Sequence, residues 1–116
     1  MNKLLSVCLL LLGMAFSASA VTLDTAPLPF APFLQCDAVN VSNQIVTITV
    51  TIIAAPNLLI ATNTCITSPT NRFCSIGGFG DGNGYCEIDI SGTKALARGA
   101  LHLFNGTTLI AVEDAN

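Results

Sequence analysis

The chain is poor in charge, and poorest in positive charge. Lys and Arg together number 4 against 7 Asp and Glu in 116 residues, with His102 the single histidine. Lys3 belongs to a leader-like N-terminus, so beyond residue 20 the cations are Arg72, Lys94 and Arg98 and the formal balance is 3 − 7 = −4. Three scattered cations on an acidic surface repel a phosphate backbone, so neither nucleic acid nor an anionic membrane surface is an expected partner. Also missing are a second long apolar run, any Cys-x-x-Cys half-site and any stretch with a helical apolar repeat. These absences exclude membrane insertion beyond the leader, the usual zinc spacing and a helical fold, in that order.

What is present begins with an address. Asn2 and Lys3 precede the leucine-rich run Leu4 to Phe16, and Ser17-Ala-Ser-Ala20 supplies the small residues a signal peptidase reads. An apolar run of 13 residues is short for a membrane-spanning helix, which needs about 20. Residues 1–20 are therefore expected to be a cleaved signal peptide and the product to be secreted or periplasmic. Residues 21–33, with Pro27, Pro29 and Pro32, read as an extended Pro-rich arm, and residues 34–116 as one domain.

Within that domain, Val46, Ile48, Val50 and Ile52 alternate with Thr47, Thr49 and Thr51, the pattern of a half-buried strand. The segments 34–41 and 58–66 read as flanking strands, separated from it by the turns Asn40 to Gln44 and Ala55-Pro-Asn57. Tyr85 to Phe104 reads as a hairpin around Ser91-Gly92. It would place Cys86, Ile88 and Ile90 on the inner face together with Ala95, Ala97 and Gly99, and pair Asp89 with Lys94 and Tyr85 with Arg98 outside. Asn105-Gly106 is a further hairpin turn, leading to Thr108, Ile110 and Val112 as the last inner face. Short antiparallel strands joined by Gly, Pro and Asn turns predict an all-β fold, a small antiparallel β-sandwich of immunoglobulin-like type with about 6–7 strands and two disulfides.

The four cysteines beyond the leader are Cys36, Cys65, Cys74 and Cys86, an even set in a small exported chain. Three pairings are open to sequence; the favoured one joins Cys65 to Cys74 across a short loop and Cys36 to Cys86 between an early strand and a late one. No metal centre is expected, since the spacings of 29, 9 and 12 positions match no zinc site.

The stretch GGFGDGNGYC, Gly77 to Cys86, invites a ligand-loop reading. Asn83 and Gly84 stand where a phosphate-cradling loop needs lysine and a hydroxyl residue. As a calcium loop starting at Asp81 it places Tyr85, Cys86 and Gly92 where an acid, a glycine and the closing glutamate belong. It reads as a mobile connection into a strand, with calcium or another ligand on residues 77–84, through Asp81, Asn83 and Glu87, as the alternative. Ser91-Gly-Thr-Lys94 spells a serine-enzyme motif but falls in a turn. The Glu87 and Asp89 carboxylates share an exposed face, and no Gly-x-Ser-x-Gly elbow accompanies His102. No catalytic residue and no cofactor are therefore expected. Asn40-Val-Ser42, Asn63-Thr-Cys65 and Asn105-Gly-Thr107 read as turn chemistry before glycosylation acceptors.

The stretches LQCDAVNVS, GYCEIDISG and ARGALHLF resemble small exported bacterial disulfide-containing β-sandwich proteins, over about Leu34 to Val112. That resemblance implies the fold and export, and no activity. The expected function is that of a non-catalytic module contacting a protein or cell-surface partner through Tyr85, Glu87, Lys94, Arg98 and His102, with a hydrolase as the remaining reading.

Overall fold

The structure, a computed structural model, describes residues 20–30 and 33–116, so all of the expected signal peptide but Ala20 lies outside the described residues. The described chain is all-β. Its strands are β1 (Ala20–Asp24), β2 (Leu28–Pro29), β3 (Phe33–Asn40), β4 (Val46–Ala54), β5 (Leu58–Thr67), β6 (Phe73–Gly78), β7 (Asn83–Ser91), β8 (Ala97–Asn105) and β9 (Thr108–Asp114). They form two antiparallel sheets, β1-β7-β4-β5 with β2 also on β7, and β6-β3-β8-β9.

The alternation in the sequence explains how the sheets enclose one core. Val46, Ile48, Val50 and Ile52 of β4 are fully buried, as are Ile88 of β7, Leu34 of β3 and Leu101 of β8. Their β-branched and leucine side chains fill the space between the sheets, and the residues between them point to solvent. Nine strands stand where six or seven were expected, because the Pro-rich segment contributes two. β1 and β2 follow one another along the same edge of β7, and Leu23, Leu28 and Phe30 enter the core. Thr25, between them, donates its N–H to the Cys86 carbonyl at 3.0 Å and accepts the Cys86 N–H on Oγ1 at 2.9 Å. Residues 20–30 thus form a sheet edge. The connections β2–β3, β3–β4, β5–β6, β6–β7 and β7–β8 all change sheet, and this order does not itself assign an immunoglobulin-like topology.

Both disulfides cross between the sheets. Cys36 of β3 joins Cys86 of β7 in the middle of the core, and Cys65 of β5 joins Cys74 of β6 at the rim, each with Cα atoms 5.7 Å apart.

Two register expectations are corrected. β7 and β8 do not form a hairpin: β7 lies in one sheet between β1 and β4, and β8 lies in the other between β3 and β9. Both edges of β7 are already occupied, so the chain leaves it at Ser91, turns through Gly92 (φ +120°) and a short 3₁₀ turn at Lys94–Leu96, and enters the second sheet. Asp89 consequently faces Thr22 and Thr49 instead of Lys94. The Asn105-Gly106 hairpin does form, with Gly106 at φ +63°, but its returning face is inverted. A bulge pairs Leu103 with Ala111 after Phe104 has paired with Leu109, leaving Ile110 as the extra residue. One extra residue reverses every later side chain, so Ala111 turns toward the core while Ile110 and Val112 are exposed; Thr108, before the bulge, is exposed beside the turn.

Candidate functional site

The five residues expected to share one surface are divided by the fold. Tyr85 and Glu87 lie on the outward face of the first sheet, at register positions opposite Ile53 and Thr51. Arg98 and His102 lie on the outward face of the second, opposite Val39 and Gln35. Lys94 sits on the turn between the sheets. Alternation places each residue outward, but the two sheets turn their outer faces away from a common core. The expected surface depended on the β7–β8 hairpin and is lost with it.

On the first face, Thr49 and Thr64 exchange a hydroxyl hydrogen bond of 2.9 Å and Thr51 and Thr62 one of 3.0 Å. Beside them Thr22 donates its hydroxyl to Asp89 at 2.6 Å, and Glu87 stands opposite Asp24. Partial burial raises the Glu87 carboxyl above the ordinary 4.5, and the charges of Asp89 and Asp24 raise it further.

The glycine-rich stretch is built around aromatic rings. A Cβ at Gly77 would meet the ring of Phe33, one at Gly84 the ring of Phe30, and one at Gly80 would press on Phe30 as well. Glycine is needed there for close approach. Only Gly82, at φ +74°, is required by the turn itself. Asp81, Asn83 and Glu87 are not collected into a calcium cage: Asn83 and Glu87 stand four residues apart on β7, roughly 13 Å along a strand. Among the described residues no three His, Cys, Asp or Glu side chains are grouped to hold a metal ion. Ser91 of the serine-enzyme motif accepts the Thr47 N–H at 2.9 Å. Asn40 is buried, its Nδ2 donating to the Gln44 carbonyl at 2.8 Å and its Oδ1 accepting the Ser42 N–H at 2.9 Å, which makes it turn chemistry.

The second face carries the arrangement with most chemical content. Asp37 of β3, Ala100 of β8 and Asp114 of β9 stand side by side across the sheet, and Arg98 and His102 flank Ala100 along β8. Because alanine is small, these four larger polar side chains stand around a pit of about 250 Å³, walled on one side by Phe73 and Val39. His102 Nδ1 lies 2.9 Å from Asp37 Oδ2, a close polar contact whose alignment falls short of a hydrogen bond. Gln35 Nε2 donates to the other Asp37 oxygen at 2.9 Å. No Ser, Thr or Cys lines the pit to serve His102 as a nucleophile. A second cleft of about 400 Å³, at the side where β1 approaches β8 and β9, shares Arg98, Gly99 and Asp114 with it and is reached by Lys94. Phe73, 70 % exposed, lines the pit, and Val112 at 44 % and Leu109 at 49 % are exposed further along the same face, opposite His102 and Phe104. Sequence reading found Arg98 and His102 but missed Asp37, Asp114 and Phe73. The pairing of β3 with β8 joins them, and no local pattern encodes it.

No family model matches this sequence, and neither does any curated protein or solved structure.

Proposed function

We propose that the chain is an exported, non-catalytic β module, secreted or periplasmic, that works by contacting a protein or cell-surface partner through the outer face of the β6-β3-β8-β9 sheet. The observation that carries this reading is the union, on one face, of exposed Phe73, Leu109 and Val112 with the polar set Asp37, Arg98, His102 and Asp114. Exposed apolar side chains grouped with polar ones on one face mark contact surfaces. The opposite face also exposes Ile66 and Leu59, but the threonine hydroxyls between them are already paired with one another and, among the described residues, no charged pit lies beside them. Two disulfides are consistent with an oxidising compartment, and the leader-like residues 1–20 supply the route. The non-catalytic part of the reading is supported by a pit lining that holds no Ser, Thr or Cys beside His102.

The test is retention of envelope or surface material on immobilised protein, compared among the wild type, Phe73→Ala, Val112→Lys and, on the opposite face, Thr49→Lys. Retention should fall with the first two substitutions and persist with the third. Equal retention by all four proteins, or by none, removes the reading.

A further inference from the structure

We infer that the pit over Ala100 receives one ring of a neutral sugar, so that the partner of this face is a glycan; the inference rests on the β6-β3-β8-β9 face being the contact surface.

The argument starts from the balance of groups around the pit. Asp37 and Asp114 face each other across Ala100, two strand spacings or roughly 10 Å apart at their Cα atoms. Both are acceptors only when ionised, whereas Arg98 is a donor only and His102 supplies a ring nitrogen. A simple anion would gain Arg98 but meet two carboxylates, and a simple cation would gain the carboxylates but meet Arg98. A neutral polyol suits the whole set: its hydroxyls donate to the carboxylates and accept from the guanidinium, and no net charge is buried. Hydrogen bonds with one charged partner are also the stronger kind.

Shape points the same way. Phe73 is 70 % exposed beside the pit, with Val39 next to it across the strands, so one wall is apolar and offers an aromatic ring. A sugar ring carries polar hydroxyls on its rim and C–H groups on its faces, which is the combination this wall and this ring of polar groups match. The volume of about 250 Å³ falls just below the ~300–1,000 Å³ of pockets for drug-sized ligands, which suits a single ring. Asp37 is oriented in advance by Gln35 and His102, at 2.9 Å each, which lowers the ordering cost of binding. With His102 Nδ1 turned to Asp37, Nε2 is the nitrogen left for a ligand.

The experiment is a two-dimensional amide and aromatic NMR titration of the disulfide-intact protein. The probes are glucose, galactose, mannose, N-acetylglucosamine and their short oligosaccharides, with alanine, acetate and methylammonium as charged comparators. At least one saccharide should give saturable shifts at millimolar concentration, centred on Ala100, Gly99, Val39 and the Phe73 ring. Asp114→Asn and Phe73→Ala should each weaken that binding about tenfold, a loss of about 1.4 kcal/mol, with amide dispersion intact, and Thr49→Ala should leave it unchanged. No saturable shift with any saccharide, or equal shifts with the charged comparators, overturns the inference. If retention on the immobilised protein still depends on Phe73 and Val112 while the sugars do nothing, the sugar assignment falls and the contact face stands. If neither responds, both fall.

Discussion

The ring of Phe30 lies against the backbone of Gly84, at a distance where a Cβ on Gly84 would collide with that ring and with Leu34. Phe30 comes from the Pro-rich segment and Gly84 from the glycine-rich one, so two stretches of low-complexity character are one packing unit. Gly84→Ala should therefore cost about 1–3 kcal/mol by overpacking, read as a lower urea midpoint at unchanged slope. In a Phe30→Ala background the same change should cost much less, because the two residues share a contact. Equal costs in both backgrounds would contradict the packing.

The disulfides should differ in what they contribute. Cys36–Cys86 spans 50 positions and Cys65–Cys74 spans 9. By chain entropy alone, replacing both members by alanine should cost about 4 kcal/mol for the first bridge and about 2.6 kcal/mol for the second. The first figure approaches the whole net stability of many small domains. Chemical denaturation of the two double variants checks the order, and a larger loss at the rim bridge would reverse it.

Asn40 holds the β3–β4 connection from inside. Its side chain satisfies the Gln44 carbonyl and the Ser42 N–H and hydroxyl, while Arg72 donates to the Asn40 carbonyl at 2.8 Å. Asn40→Ala removes these part-buried side-chain hydrogen bonds and should cost about 0.5–1.5 kcal/mol. A thermal melt within experimental error of wild type would show the network to be dispensable.

Glu87 sets a pH dependence of known sign. Its carboxyl is raised above 4.5, so in the window between that value and its raised one the folded chain binds more protons than the unfolded chain. Stability from this group therefore falls as pH rises through the window, and the penalty is constant above it. Glu87→Gln should stabilise the protein at pH 7 by at most about 0.5 kcal/mol, since the site is mostly solvated, and the gain should vanish as pH falls below the window. Parallel melts at both ends of the range decide it; a gain that grows toward acid pH would have the wrong sign.

The parts of the fold that local pattern encodes were legible. The inward set of β4 follows from period-two alternation, and the two turns flanking that strand follow from Asn, Ser and Pro chemistry. What was not legible was partnership. The inner faces of β7 and the start of β8 were correctly oriented, yet the two strands belong to different sheets, because alternation states which side a residue faces and not which strand lies beside it. The β9 face failed for a smaller reason: Ile110 is one residue more than the ladder can pair, and the side-chain sequence of a bulged strand looks like that of a regular one.

By itself, the sequence determined an all-β domain, four cysteines suited to two bridges, a β4 buried on one side, and an acidic balance with few cations. Each of these rests on composition or on contacts between near neighbours in the chain. Only the tertiary structure decided that the Pro-rich segment is a sheet edge, that the glycines of GGFGDGNGYC make room for Phe30 and Phe33, and that His102 stands beside Asp37. Those facts come from pairing strands distant in sequence, where competition for a limited number of sheet edges, rather than local preference, selects the neighbour.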